Sequence, residues 1–524
     1  MADSLYSGIV KFFVIVLFIY SSNLYYSRIK VGFNNTICDQ HGFRQTQTAI
    51  TSYYFNKNGI DLIGYETPIM GYPWKMPLEF PIMQAVASWV SKVYDIKLDN
   101  AGRITGIAFH ILSGVVLYII FVLLLGDYIL PLIGPSILFI NPLLTFWSRS
   151  FLIETTANFL CLCFLLLMYL WLNKNNIIYF IIALFVGLFG MLTKPTTGVL
   201  YLAALGLYSL YHLYMAYTKQ KKIEKSMIFQ VCFLAIAYLS LLGITLLWTK
   251  YSDEIKSVNY LSQMNMSSNL KDWNFGTFDQ KINIDSWLYA SEHHFFHYNF
   301  AVIPIAILSL FFNTKNKIFI CIFSVCYWLG PLIFTNLYYV HNYYSSASTP
   351  FFCFCFGLFI ADMASRKNLV IVILMVTITL AYSYHGQNIY RKYHQYSTKN
   401  NNIYPKLVGI HIQSYTAPDE VLLVWGAEFS SEIPYYSERR CVMMPVERIT
   451  KILKDSSKYD ELVKVIQLSK PTKFIMNNYP NVLYHKEEFV IINKLFKEFE
   501  IKENFINDHT LYNVGIMEIG KKWK

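Results

Sequence analysis

Three residues near the start of the chain carry groups that could serve in catalysis, two as an acid or base and one as a fixed positive charge. Asp39, His41 and Arg44 place a carboxylate, an imidazole and a guanidinium within a short segment that no long charged run surrounds. A carboxylate or an imidazole can act as a general acid or base, and a guanidinium stabilises developing negative charge. Gln45 follows directly. The segment therefore predicts a functional site rather than a solvated face.

Further ionisable residues follow at intervals, each beside an apolar block. Singly, they have ordinary explanations: Lys194 or Arg149 could reach lipid headgroups, and His341 could belong to an aromatic belt. Glu154 could form a local salt bridge with Arg149. The loop charges, however, place all of these residues at one membrane surface, where ionisable groups tend to mark a functional cavity. The set is Lys75, Glu79, Arg149, Glu154, Lys194, His341 and Tyr344.

The composition is that of a membrane protein. Hydrophobic residues make up 55% of the 524 residues and charged residues 15%, whereas soluble domains carry about a quarter charged residues. Apolar blocks of roughly 16 to 23 residues recur through the first part of the chain, and each can span a bilayer. We therefore predict an all-α polytopic membrane body over residues 1–385 and a small soluble α/β domain over residues 386–524.

Eleven membrane-spanning helices are predicted. Lys174, Lys222, Lys315 and Arg366 lie in loops that share one side, and the positive-inside rule assigns that side to the cytoplasm. Arg28 and Lys30 argue weakly for the opposite orientation. The spans lie near residues 8–25, 104–125, 129–147, 155–172, 177–192, 196–217, 227–249, 297–312, 318–337, 345–362 and 368–384.

This orientation places two long loops, residues 26–103 and 250–296, outside the cytoplasm together with the C-terminal domain. Within these loops, residues 44–55, 78–93 and 282–292 are expected to form amphipathic helices along the membrane interface. The N-terminal apolar block has no small-x-small cleavage site after it, so we interpret it as a retained anchor.

The C-terminal domain shows short apolar runs between helical segments. Strands are predicted over residues 420–425 and 473–476, a helix over 429–436 and a terminal hairpin over 510–519. Alternating strands and helices indicate an α/β unit.

Charge and cysteine usage exclude some classes of function. The formal charge of +11 comes largely from Lys and Arg in short loops, so no nucleic-acid partner is expected. Most of the nine cysteines lie in apolar blocks, where cysteine is usually a small core residue. Cys38 and Cys441 fall outside these blocks, and a disulfide between them is left open.

The charged motifs together resemble those of the GT-C glycosyltransferases, especially the bacterial branch related to lipid A aminoarabinose transferases and protein O-mannosyltransferases. That branch places an acidic residue in its first outside loop. Where relatives carry Asp in an Asp-Glu-x-Arg pattern, this chain has His41, and Asp39 lies two residues upstream; we favour Asp39 for the acidic role. The other matching motifs are 141–149 with Glu154, Leu192-Thr193-Lys194, Trp273-Asn274-Phe275-Gly276 and His341-Asn342-Tyr343-Tyr344.

The resemblance implies a membrane glycosyltransferase, a hexosyl- or pentosyltransferase, that takes its sugar from a polyprenyl-phosphate donor. Asp39, or His41 in its place, would orient or deprotonate the acceptor hydroxyl. Glu154 would support the acceptor or a divalent cation, the one cofactor the resemblance leaves open. Donor and acceptor would be bound by Arg44, Gln45, Lys75, Glu79, Arg103, Arg149, Lys194, His341 and Tyr344.

The expected setting is the outer face of a bacterial inner membrane, with the C-terminal domain in the periplasm. The acceptor is expected to be a cell-surface glycan or lipid, such as the O-antigen of lipopolysaccharide. Transfer is expected to invert the anomeric carbon.

Three other functions remain open. A transporter or flippase of lipid-linked sugars would favour broken helices at the bilayer midplane and repeated halves, and the sequence shows no repeat. A membrane-anchored sensor or scaffold would need no charged cluster at residues 39–45. A polysaccharide polymerase would also use polyprenyl-linked sugars, but it would not be expected to carry the motifs at Lys194 and His341.

Overall fold

The computed structural model describes six stretches of the chain, which fold into two compact units. We call them the helical unit and the mixed unit. The helical unit comprises Met1–Phe33, Arg103–Trp248 and Lys271–Tyr396, and the mixed unit comprises Asn34–Gly102, Thr249–Leu270 and Ser397–Lys524. The described residues are 2–293, 301–399, 403–444, 456–477, 486–506 and 513–523.

Each predicted span overlaps one or more helices of the structure, although the eighth predicted span begins among residues outside the described ranges. Within those ranges, six helices are long and apolar enough to cross a membrane. The number rises to seven if the bent pair Leu130–Ile140 and Pro142–Ser148 is one span. The count of eleven spans therefore stays a prediction. The six helices are Tyr6–Lys30, Leu98–Leu125, Glu154–Lys174, Pro195–Gln220, Lys225–Ser257 and Leu369–Lys392, and the shorter apolar helices are Ile177–Thr193, Val302–Phe311, Lys317–Ile333 and Thr349–Ala364.

A proline accounts for the bend within the third predicted span. The two helical pieces meet at 70°, and Pro142 has no backbone N–H to continue the first piece. The Asn141 side chain caps the second piece by accepting a hydrogen bond from the Leu144 N–H at 3.0 Å. The sequence-based prediction of a single span over residues 129–147 did not include this bend.

A second proline separates two helices at Lys194. Lys194 has an extended backbone between the helices Ile177–Thr193 and Pro195–Gln220, because the residue before proline disfavours the helical conformation. The helix Glu154–Lys174 runs antiparallel to the helix Ile177–Thr193, to which a short turn joins it. Glu154 and Lys194 therefore lie at the same end of this pair.

The mixed unit contains a five-stranded sheet with the order β2-β1-β3-β5-β4. β1 pairs in parallel with β2 and β3, and β5 pairs antiparallel with β3 and β4. The predicted strands at 420–425 and 473–476 are confirmed to within one residue at each end, and so is an α/β arrangement. The predicted hairpin differs, because its first strand lies upstream, and residues 507–512 are outside the described ranges. The strands are β1 (Val421–Trp425), β2 (Arg440–Met444), β3 (Lys473–Asn477), β4 (Ile501–Phe505) and β5 (Val514–Ile519).

Helices also lie in the first loop and in the rest of the mixed unit. Four helices were predicted near their observed positions: Gly42–Asn58, Ile82–Tyr94 and Glu432–Ser437 in the mixed unit, and Ile284–His293 in the helical unit. The remaining main helices of the mixed unit are Tyr404–Ser414, Ser456–Ser469 and Lys486–Phe499.

Part of the first loop pairs with the edge of the sheet. The Cys441 and Met443 N–H groups donate to the Pro68 and Ile69 carbonyls, both at 3.0 Å, and the Gly71 N–H donates to the Cys441 carbonyl at 3.2 Å. These bonds use the edge of β2 that faces away from β1. Cys441 and Cys38 are both buried free cysteines, so the disulfide that the sequence left open is not formed.

Candidate functional site

In the mixed unit, a buried glutamine holds the Asp39 carboxylate. Gln45 Nε2 donates to Asp39 Oδ1 at 2.6 Å and to the Gln40 carbonyl at 2.8 Å. Gln45 is fully buried, so its amide orients Asp39 from within the unit. The structure therefore shows that Gln45 supports Asp39. The substrate-binding role that the sequence predicts for Gln45 stays a prediction.

His41 begins the helix that carries Gln45 and Arg44. Its backbone is left-handed, with a φ of 51°, and its carbonyl accepts hydrogen bonds from the Arg44 and Gln45 N–H groups at 2.9 and 3.1 Å. This conformation costs a residue with a Cβ roughly 1–2 kcal/mol. Strained backbone positions of this kind cluster at functional sites.

Arg44 is held by an acidic residue from another part of the first loop. Arg44 Nη2 donates to Glu79 Oε2 at 2.9 Å, and Arg44 Nη1 donates to Gln47 Oε1. Gln84 Nε2 donates to the other Glu79 oxygen at 2.9 Å. Glu79 is only 7% exposed, so this charged pair is largely removed from water. Such charge-assisted bonds are about twice as strong as neutral ones.

Lys75 lies in an irregular segment near Asp61. The backbone N–H groups of Gly64 and Ile63 lower the pKa of Asp61 below its ordinary value, and the Lys75 charge lowers this pKa further. Lys75 is half-buried.

In the helical unit, Glu154 and Lys194 form a buried ion pair. Lys194 Nζ donates to Glu154 Oε1, and the two residues are 2% and 6% exposed, respectively. Glu154 Oε2 is buried and has no hydrogen-bond partner among the described residues. The salt bridge between Glu154 and Arg149 that the sequence left open is therefore replaced by a pair between Glu154 and Lys194.

Aromatic rings cover the Lys194 ammonium group. Nζ lies 4.2 Å from the centre of the Tyr344 ring and 5.3 Å from that of Tyr343. His341 stacks on Tyr343 with ring centres 5.1 Å apart. The Trp273 and His341 rings meet edge to face, with ring centres 5.9 Å apart. A cation that is paired and covered by π faces is stabilised in a site with little water.

Arg149 and Arg103 contact the chain just after the first membrane helix. Arg149 Nη1 donates to the Val31 carbonyl at 3.0 Å, and Arg103 Nη1 donates to the Gly32 carbonyl at 2.7 Å. Both residues are at most 3% exposed. Arginines in this position satisfy carbonyl groups that a helix end leaves without partners, so these two have a structural role in addition to the predicted one.

The candidate residues thus form several separate contacts. Asp39 meets Gln45 and Arg44 meets Glu79 in the mixed unit, while Glu154, Lys194 and Tyr344 meet in the helical unit. Among the described residues, no group of three or more His, Cys, Asp or Glu side chains could hold a metal ion.

Sequence reasoning missed several supporting residues. Gln84 lies within the helix that follows Glu79, and Gln47 lies one turn after Arg44 on the same helix. The spacing of Gln47 was a usable signal, because residues three apart on a helix are neighbours. Tyr343 was recognised only as part of a motif, and its contact with Lys194 depends on tertiary packing.

The comparisons with known proteins concern the fold. No protein-family model and no curated protein matches the sequence. The crystal structure of ArnT from Cupriavidus metallidurans bound to undecaprenyl phosphate matches with a TM-score of 0.62 at 10% identity, over 96% of this chain and 97% of that chain.

Two structures from Archaeoglobus fulgidus are also similar. The archaeal oligosaccharyltransferase AglB, in complex with an inhibitory peptide and a dolichol-phosphate, has a TM-score of 0.51 at 9% identity, over 92% of this chain and 71% of that chain. The oligosaccharyltransferase tethered with an acceptor peptide has a TM-score of 0.54 at 10% identity, over 91% and 70%. ArnT and AglB are both GT-C superfamily members, and the chain therefore has the GT-C fold.

Proposed function

We propose that this protein is a membrane glycosyltransferase that moves a hexose or a pentose from a polyprenyl-phosphate donor to a cell-surface glycan or lipid, such as O-antigen. The reaction takes place at the outer face of the bacterial inner membrane, with the C-terminal domain in the periplasm. The fold supports this proposal, since the similar structures of ArnT and AglB contain undecaprenyl phosphate and dolichol-phosphate.

The observation that carries the proposal is the buried pair of Lys194 and Glu154. Burying two charges costs several kcal/mol per ion before their attraction is counted, so such a pair at the ends of apolar helices indicates a function. A lipid phosphate can take the place of Glu154 as the partner of Lys194. The carboxylate released in this way, with its second oxygen Oε2, can then accept a hydrogen bond from a substrate hydroxyl.

The proposed reaction is a single displacement at the anomeric carbon. The acceptor oxygen forms a bond to this carbon while the bond from the carbon to the phosphate oxygen breaks. The acceptor proton passes to a carboxylate base, and the polyprenyl phosphate leaves as an anion that Lys194 stabilises. In the mixed unit, Asp39 is the candidate base, and Arg44, whose guanidinium group is oriented by Glu79, is a cation suited to phosphate.

Binding of undecaprenyl phosphate to the full-length protein in nanodiscs tests the proposal. The wild type should bind undecaprenyl phosphate more tightly than undecaprenol, which has the same tail without the phosphate. We expect Lys194→Met to weaken binding of the phosphate by at least tenfold, because one charge-assisted hydrogen bond is worth roughly 1.5–3 kcal/mol. Lys250→Met is the matched control, since the Lys250 side chain is 75% exposed.

A double variant separates binding from stability. Lys194→Met alone leaves the Glu154 charge buried without its partner, which typically costs about 3–5 kcal/mol. Adding Glu154→Gln removes that charge, so the thermal unfolding midpoint should return toward the wild-type value while phosphate binding stays weak. Equal binding of the phosphate by the wild type and the double variant would contradict the proposal.

A further inference from the structure

Residues from the C-terminal part of the mixed unit hold the segment that contains Asp39 and His41. The Tyr436 hydroxyl accepts a hydrogen bond from the Ile37 N–H at 3.2 Å and donates one to Asp99 Oδ2 at 3.1 Å. Tyr435 donates to Asp99 Oδ1 at 2.5 Å. One carboxylate thus orients both tyrosines of the helix Glu432–Ser437, and the Tyr436 hydroxyl serves as donor and acceptor at once.

The same helix also contacts the other end of this segment. A Cβ atom at Gly42 would lie 2.5 Å from Glu432 Oε1 and 3.3 Å from the Cys38 Cβ. The Glu432 carboxylate therefore lies directly against the backbone at Gly42. The segment from Ile37 to Gly42 is consequently contacted at both ends by residues that lie almost 400 positions later in the chain.

A second set of contacts fixes the loop that leads to Lys75. Arg440 makes a two-pronged ion pair with Glu66, at 2.8 Å from Nη2 and 3.2 Å from Nε to Glu66 Oε2. The Arg440 guanidinium also lies 5.8 Å from the centre of the Trp74 ring. The Thr67 N–H donates to the Trp74 carbonyl at 2.9 Å, which closes the loop just before Lys75.

We propose that the C-terminal part of the mixed unit is a positioning scaffold for the charged segments of the first loop, with Tyr436 and Arg440 as its positioning residues. Apolar packing alone would hold these segments without fixing their orientation. The observed contacts are instead directional and polar. The Tyr436 hydroxyl bonds to the Ile37 N–H just before Asp39, and Arg440 pairs with Glu66 in the loop that leads to Lys75. Misplacing a reacting group by about 1 Å can cost a hundredfold in rate. The effect on transfer rests on the proposed function, whereas the effect on local order does not.

Hydrogen exchange followed by mass spectrometry tests the first contact. Tyr436→Phe keeps the ring and removes the hydroxyl, so amides in residues 34–45 should exchange roughly two- to tenfold faster, as expected for the loss of one hydrogen bond. Tyr415→Phe is the control, because Tyr415 lies at the exposed end of the helix Tyr404–Ser414. Unchanged exchange in Tyr436→Phe would overturn the proposal.

Glu66→Gln tests the second contact with a change that keeps the side-chain shape. Exchange over residues 67–75 should accelerate, whereas the exposed control Glu254→Gln should match the wild type.

In transfer assays, Tyr436→Phe should lower kcat more than it raises the donor KM, because the donor's lipid phosphate is assigned to Lys194. Wild-type kcat in a variant with faster local exchange would overturn the scaffold's role in transfer. If the wild type transfers no sugar, the proposed function fails, and the exchange rates alone decide whether the scaffold exists.

Discussion

Asp39 can be changed to asparagine without losing the contact that orients it. Asparagine keeps a carbonyl oxygen to accept the hydrogen bond that Gln45 Nε2 makes to Asp39 Oδ1 at 2.6 Å. Asp39→Asn should therefore fold normally while transfer slows by about a hundredfold to ten-thousandfold, the typical contribution of a general base. The rate of sugar transfer and the thermal unfolding midpoint, measured on the same preparation, check both parts.

The matching change at His41 requires attention to the backbone. Because His41 has a φ of 51°, His41→Asn is preferable to alanine, since asparagine tolerates the left-handed conformation. We expect this variant to keep most of its activity. Full activity in Asp39→Asn beside an inactive His41→Asn would transfer the role of base to the histidine.

The candidate residues themselves could be found from residue type and position, but their partners could not. Lys194 and Glu154 were singled out because charged residues are rare beside apolar blocks. Their pairing with each other depends on the antiparallel packing of two helices, and the only partner for Glu154 that the sequence left open was Arg149. The roles of Arg103 and Arg149 at backbone carbonyls had no sequence signal.

At the scale of elements, the helix Glu432–Ser437 predicts a pH-dependent stability. Burial raises the pKa of Glu432 above its ordinary value, although hydrogen bonds from Ser430 and Cys38 oppose the shift. Asp99 and Asp39 are further acidic groups near the Cys38 thiol. A carboxyl group with a raised folded-state pKa stabilises the fold most below its unfolded pKa of about 4.3, and this contribution is lost as the pH rises.

Glu432→Gln removes this titration. The variant should therefore unfold at a temperature a few degrees above that of the wild type near neutral pH, and the difference should shrink as the pH falls toward about 4. Thermal unfolding followed by intrinsic fluorescence measures the difference in unfolding temperature at each pH. Glu254→Gln is the exposed control. Parallel pH curves for Glu432→Gln and the wild type would contradict the prediction.

The elements of the helical unit were largely predictable, whereas those of the mixed unit were only partly so. Long apolar runs identify membrane helices without any tertiary information. β2, by contrast, has five residues directly after a short helix and was missed, although its residues from Cys441 to Met444 are fully buried. The bend at Asn141 was also missed, because an Asn-Pro pair within an apolar run can either bend a helix or end it.

At the scale of the whole molecule, the first loop and the C-terminal residues belong to one unit. The hydrogen bond between Ile37 and Tyr436 joins residues 399 positions apart. Hydropathy and local motifs carry no signal for contacts at such a distance, so the sequence indicated a separate C-terminal domain and separate loops. The two prolines at 142 and 195 were visible in the sequence, and both mark helix breaks.

The orientation predicted from loop charges can be tested with reporter fusions. Lys222 lies between the helices Pro195–Gln220 and Lys225–Ser257, in a loop that the positive-inside rule assigns to the cytoplasm. A fusion at Lys222 should be active with a cytoplasmic reporter, and a fusion at the C-terminus should be active with a periplasmic one. The same sidedness at both positions would overturn the predicted orientation.

The most direct test of the glycosyltransferase proposal is mass spectrometry of the surface glycans and lipids of bacterial cells that make this protein. Cells with the wild-type chain should carry a hexose or pentose increment on one of these molecules. Cells with the double variant Asp39→Asn, His41→Asn should lack it and retain the unused donor, because both candidate bases are then removed. Identical spectra from wild-type, variant and deletion cells would contradict the proposal.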